Sequence, residues 1–431
     1  MSLTLKANDA RALMRKKAAI AVFAAITAFL TYASVYAFRK PFTVARFEGK
    51  MFWGVSYQTL LIISQVAGYM LSKFSGIRFI AELKRFGRWK AALSLVIASW
   101  GALFFFAITP APFGMIWLLL NGYFLGFLWG IVFSYVEGRK STDLIGAVMA
   151  VSFIFSGGFT RSAGAWVMSE WHISEYWMPF MTGLLFIIPF IVFLLMMEKI
   201  PQPDPDDIAE RSVREPMNAP ARKKFIREFS LGLLIVVLVY VLLTVMRDIR
   251  DNYMANMWQE LGYAGDKKVY TQTETITSLI VLLIMSSLVV IRRNIFAFRM
   301  VHFVIFCGLL IAGVSSLLFR HGYINGYLWM QCTGAGLYMS YIPFNCIFFE
   351  RLIAVFKIRG NTGFLMYFAD AFGYLGSVAV MLMKEFINVK ITWSSFYSEG
   401  VIYLTFLGLA GTVISLVYFN RRFVRTKQGL I

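Results

Sequence analysis

The chain has 431 residues, of which 59% are hydrophobic, 17% aromatic and only 15% charged. Soluble domains carry about 25% charged residues, so a soluble globular protein is excluded. The formal net charge of +19 would suit nucleic acid. However, about two-thirds of the 42 Lys and Arg lie in alternate loops on one side of the apolar segments, which marks membrane topology rather than a binding patch.

Twelve apolar segments are long enough to cross a hydrocarbon core, at about 20 residues each. They fall at about 18–38, 55–82, 91–109, 114–136, 144–167, 178–198, 230–250, 271–291, 298–319, 326–349, 361–383 and 400–419. Segments of this length are helices, since barrel strands need only about 10 alternating residues. The basic loops accompany both termini, which places the termini in the cytoplasm and the chain in a cell (inner) membrane. The N-terminus shows no cleavable signal, because its first apolar segment is too long and too aromatic.

In chain order, the first segment ends at Arg39 after Tyr32 and Tyr36, positions that share one helical face. The second carries Lys73, about ten residues from its basic end. The fifth carries Arg161. The sixth is followed by a polar stretch that begins PQPDPDD and ends RKKFIRE, read as a surface linker. The seventh ends at Arg247, 208 positions after Arg39. The eighth contains Glu274 and the eleventh Asp370. A charge at membrane depth costs at least about 2.5–3.5 kcal/mol, so each of these is a functional candidate. Arg161 and Asp370, opposite in sign and in corresponding segments, are expected to pair. Arg247 has two nearby acids, Asp248 and Asp251, either of which would neutralise it. Lys40 is expected to face away from the site.

Cys307, Cys332 and Cys346 show no paired spacing, and His172, His302 and His321 are scattered. Neither a disulfide framework nor a metal site follows. With no nucleophile–base arrangement or phosphate-binding loop, neither an enzyme nor a cofactor is expected.

The halves repeat. NGYFLGFLWG in segment 4 and QCTGAGLYMSYIPFN in segment 10 lie about 210 positions apart, as do SGGFTRSAGA in segment 5 and DAFGYLGSVAV in segment 11. Two six-helix repeats around a central site are implied. The expected organisation is an N-terminal bundle (1–198), a cytoplasmic linker (199–229) and a C-terminal bundle (230–431). This pattern resembles the major facilitator superfamily, an all-α membrane fold of twelve transmembrane helices in two pseudo-symmetric bundles. Residues 81–90, AELKRFGRWK, are similar to its cytoplasmic motif: Arg85, Gly87, Arg88 and Lys90 fit, while Lys84 stands where an acid is expected. A tight basic turn at Gly87 is the expectation there.

A narrower resemblance is to the organophosphate:phosphate antiporters, which include the glycerol-phosphate and hexose-phosphate transporters. Tyr32-x-x-x-Tyr36-x-x-Arg39-Lys40-x-Phe42 matches their pattern, with Pro41 in place of Asn. Tyr69-x-x-Ser72-Lys73-Phe74, the run VYVLLTVMR ending at Arg247, Glu274 eighteen residues before Arg292, and Phe372-Gly373-Tyr374-Leu375-Gly376 continue the match in order. The resemblance implies that Arg39, Lys73 and Arg247 bind substrate with Tyr32 and Tyr36; Glu274, Asp370 and Arg161, as charges at membrane depth, are the candidates for coupling or gating. Arg161 and Asp370 depart from that family. They leave open a clamp between halves, or a substrate more complex than a simple phosphate ester, such as a zwitterion.

The function implied is a secondary active transporter exchanging a small organic anion, a phosphate ester, for phosphate. A proton-coupled facilitator for a carboxylate, sugar or peptide, and a transport-like ligand sensor, stand as alternatives. The expected partners are a small anionic substrate and the lipid bilayer, without nucleic acid, for a monomeric protein.

Overall fold

The computed structural model describes residues 2–82, 85–137, 139, 141–204, 219–291, 293–357, 363–386 and 391–428. All twelve expected spans are helical. The first half comprises α1 (Ser2–Tyr36), α2 (Tyr57–Glu82), α3 (Arg85–Ile108), α4 (Gly114–Leu125) continued by α5 (Leu128–Val136), α6 (Thr142–Glu170) and α7 (Met178–Glu198). The second comprises α8 (Ala219–Asn252), a short α9 (Met254–Glu260), α10 (Val269–Val289), α11 (Asn294–Arg320), α12 (Gly326–Pro343) continued by α13 (Phe349–Val355), α14 (Gly363–Phe386) and α15 (Trp393–Lys427). A short antiparallel pair, β1 (Met51–Phe52) and β2 (Val55–Ser56), follows α1.

Two boundaries differ from expectation. The basic end of the linker is helical: α8 begins at Ala219 and bends at Phe229, the one residue inside it with non-helical dihedrals. Residues 205–218 of the linker lie outside the described residues. Gly87 sits in the first turn of α3 rather than in a tight turn, and Leu83 and Lys84 lie outside the described residues.

Among the described residues nine helices are long and apolar enough to cross a membrane. The spans outside that set are α2, α12 and α14. These three bury polar side chains, among them Gln58 and Gln65 on α2, Thr333 and Ser340 on α12 and Ser377 on α14. Large apolar side chains point outward instead, among them Leu283 at 72% and Ile188 at 70% exposure. That inverted surface suits hydrocarbon, where every backbone polar group must be satisfied within the helix.

Close helix contacts rest on small residues, as is usual where no hydrophobic force separates helix from lipid. A Cβ at Gly68 would lie 1.9 Å from the Leu119 carbonyl oxygen, and one at Gly122 would lie 2.1 Å from that of Gln65, so α2 and α4 touch backbone to backbone. The two halves meet along α6 with α10, where a Cβ at Gly158 would strike Tyr270 and Glu274, and along α2 with α14.

Candidate functional site

The first helix stops at Tyr36, and Pro41 then starts a 3-10 turn, Pro41–Val44, where its missing N–H leaves no bond unmade. The intervening turn leaves carbonyls to be satisfied. Asn121 donates to the Phe38 oxygen at 3.0 Å and Gln65 donates to the Arg39 oxygen at 3.1 Å. These two side chains are themselves bonded at 2.8 Å. Arg39 is therefore held on a braced turn rather than on a free helix end.

From there its guanidinium carbon lies 4.1 Å from the Tyr69 ring centre and 5.8 Å from that of Tyr36. Lys73, one turn along α2, places its ammonium 4.7 Å from the same Tyr69 ring. In the second half, Arg247 lies 4.3 Å from the Tyr341 ring. A cation over an aromatic face in a desolvated site gains up to about 2 kcal/mol. Each half thus presents an arginine laid on a tyrosine.

These groups line one cavity of about 310 Å³. Tyr32 and Tyr36 line it too, edge to face at 5.4 Å, with Tyr32 also against Trp129. All five substrate-binding residues expected from sequence are therefore brought together. Tyr69, Tyr338, Tyr341 and Tyr374 join them. The cavity also holds acids: Asp248, Asp251, Glu350 and Asp370. Asn345 and Cys346 reach it from a π-turn, Phe344–Phe348, that follows Pro343. Proline supplies no N–H and crowds the carbonyl four residues before it, so the helix ladder shifts there.

The charges divide by partner. Arg247 is bonded to Asp248 at 2.5 Å, and Asp248 also accepts from Ser377 at 2.8 Å. Asp370 accepts from the Tyr240 hydroxyl. Among the described residues, no carboxylate lies within ion-pair distance of Arg39, and its Nε has no hydrogen-bond partner.

One expectation is corrected. Arg161 does not pair with Asp370. It sits in the last third of α6, toward the face opposite the termini, whereas Asp370 sits in the first third of α14, toward the termini face. Arg161 is 1% exposed and binds Asp251 through both carboxylate and backbone oxygen, with Thr43 at 3.0 Å. Lys40 does not line the cavity, as expected, but it is no bystander. It reaches Asp251 at 2.5 Å and Asn252 at 3.0 Å, across the two halves. Glu274 also lies outside the cavity lining, as a charge pair with the fully buried Arg250 at 2.6 Å. Gly334 makes room for that guanidinium, since a Cβ there would meet it at 2.4 Å. Sequence reading set Lys40 facing away from the site and did not single out Arg250. The alternation Arg247-Asp248 and Arg250-Asp251 at helical spacing was the signal for a two-sided charge network.

The face opposite the termini is closed. Besides the Asp251 clasp, Glu385 accepts from Ser56 at 2.7 Å and Thr59 at 2.6 Å. Thr59 and Tyr253 share a bond at 2.7 Å. The Gln58 and Asn256 amides pair reciprocally at 3.0 and 3.1 Å. Toward the termini face the cavity lining continues to Thr142, Glu350 and Met366. At that face Arg88 donates to the Ser134 carbonyl at 2.9 Å and lies over Tyr135, tying α3 to α5. The Arg85 side chain and Arg292 lie outside the described residues.

Solved transporter structures share this architecture. The D-xylose-proton symporter is similar with a TM-score of 0.60 at 13% identity, over 92% of this chain and 96% of that one. The nucleoside transporter NupG gives 0.59 at 13% identity, over 93% and 99%. The inward open xylose transporter XylE from E. coli gives 0.57 at 14%, over 92% and 94%. At these identities the likeness establishes the fold, that of major facilitator transporters. No curated protein matches the sequence. A family profile covers residues 41–422, starting at Pro41 just after Tyr32, Tyr36, Arg39 and Lys40, and by it the chain belongs to the family of unknown function DUF5690.

Proposed function

We propose that this protein is a secondary transporter that carries a small organic anion, foremost a phosphate ester, across the membrane by alternating access. Both termini are cytoplasmic in this reading, so the cavity faces the cytoplasm. The observation that carries it is Arg39: a guanidinium on a braced turn, laid on Tyr69 beside Lys73, with its Nε unbonded and no carboxylate paired to it among the described residues. A desolvated cation without a counter-ion is strongly disfavoured, and a ligand anion supplies one. The guanidinium fork suits two oxygens of a phosphate, Lys73 adds a point charge, and the tyrosine hydroxyls donate further bonds. Arg247 faces the same space from the other half, with Asp248 moderating its charge. An anion bridging both halves would lower the barrier to closing the cavity, which makes exchange a natural mode.

The test is exchange in proteoliposomes. Vesicles loaded with inorganic phosphate should take up a labelled phosphate monoester, and Arg39→Ala should abolish uptake. Purified protein should melt higher with phosphate monoesters than with neutral sugars. Uptake of a sugar with no response to phosphate or carboxylates would reject the anion reading. Binding without flux would make the protein a ligand sensor.

A further inference from the structure

We propose that the substrate is amphoteric: besides the anionic group it carries an ammonium, which Asp370 receives. This rests on the anion site argued above and extends it to another acid of the same cavity lining. The acids lining that cavity are not equivalent. Asp251 is bound by Lys40 and Arg161, and Asp248 by Arg247 and Ser377. Asp370 has one hydrogen bond among the described residues, from the Tyr240 hydroxyl, and no cation within ion-pair distance. A carboxylate offers about four acceptor positions, so most of its capacity is unspent.

Its surroundings suit a cation rather than a second anion. Tyr240 lies against Tyr341 at 5.3 Å, and Tyr374, one turn beyond Asp370 on α14, stands edge to face with Tyr69 at 6.0 Å. Ring faces and a carboxylate together are the chemistry that holds ammonium groups. Arg39 and Lys73 lie against Tyr69, and Tyr69 meets Tyr374, one turn from Asp370, so cationic and anionic groups share one cavity lining. A simple phosphate ester would leave the Asp370 carboxylate facing it across a small space. A ligand with an ammonium a few bonds from its phosphate or carboxylate removes that repulsion and satisfies both ends.

The experiment compares ligands matched in the phosphate and differing only in the ammonium: phosphoethanolamine and phosphocholine against ethyl phosphate. Binding to purified protein is measured by ligand-dependent melting for the parent, Asp370→Asn, Asp370→Glu and Arg39→Ala. Asn keeps an oxygen for Tyr240, so the fold is retained. In the parent an ammonium ester should bind about tenfold more tightly than ethyl phosphate, the effect of one charge-assisted bond. In Asp370→Asn that ratio should fall to about one, and Asp370→Glu should restore part of it. Equal binding of both ligand classes by the parent overturns the proposal while leaving the anion site intact. So does a ratio that survives Asp370→Asn, including the case where that variant loses only the pH dependence of uptake, which would make Asp370 a proton carrier. If no phosphate ester shifts the parent and Arg39→Ala behaves like it, the anion site itself fails.

Discussion

Asp251 holds two buried cations from the other half of the molecule, and its replacement by Asn should unlock the closed face. Lys40 is 4% exposed and Arg161 1%, while Asp251 itself is 18% exposed. Removing one partner of a buried pair costs about 3–5 kcal/mol, because the other charge stays buried and unpaired. The partial exposure of Asp251 argues for the lower end, near 3 kcal/mol, even though two cations are stranded. The penalty falls on the state in which this face is shut, since opening it lets water reach Lys40 and Arg161. At about 1.4 kcal/mol per factor of ten, the equilibrium between closed and open faces should move by roughly a hundredfold toward open. Cys346 lines the cavity and serves as the reporter, in a background where Cys307 and Cys332 are replaced by Ala. In intact cells Asp251→Asn should label with an impermeant thiol reagent far faster than the parent, and the purified variant should melt lower. Adding Arg161→Gln should recover part of the melting loss, because one stranded charge is gone. An Asp251→Asn protein that melts with the parent and labels no faster would refute the clasp, and the face would then be held by the Glu385 and Gln58–Asn256 contacts.

Further outcomes follow from the same geometry. Lys40→Ala should lower the melting temperature and speed Cys346 labelling, at a cost of up to about 3 kcal/mol to the closed face, because it deletes the contacts to Asp251 and Asn252; a silent variant would return Lys40 to the role expected from sequence. Arg39→Lys keeps the charge but loses the fork and its stacking on Tyr69, so exchange should fall sharply while melting without ligand stays close to the parent; parental exchange would remove Arg39 from the site. Gly122→Ala should destabilise by about 1–3 kcal/mol through its clash with the Gln65 carbonyl, whereas Gly101→Ala, with nothing within 4 Å of the added Cβ, should not. For topology, a cysteine at Gln202 should resist an impermeant reagent in intact cells while one at the exposed Tyr323 labels readily; the reverse pattern would invert the orientation.

Much of this protein was legible in one dimension. The lipid core demands long apolar runs, so the number and order of spans are written in composition, and the loop charges carry the orientation signal. Cations set in such runs stand out for the same reason, which is how Arg39, Lys73 and Arg247 could be named and how they came to share a cavity. Pairing was not legible, because a partner is chosen by depth and azimuth once helices are packed. Arg161 and Asp370 occupy corresponding segments, yet they lie toward opposite faces, and the acid that reaches Arg161 comes from the end of α8. Lys40, expected to face away from the site, is folded by the Pro41 turn against Asp251 and Asn252. Arg250 is buried only because Gly334 yields space on a neighbouring helix. Sequence determined which charges enter the membrane; backbone approach at Gly68, Gly122 and Gly158 decided which of them meet, and so left Arg39 and Asp370 facing the cavity without ionic partners among the described residues.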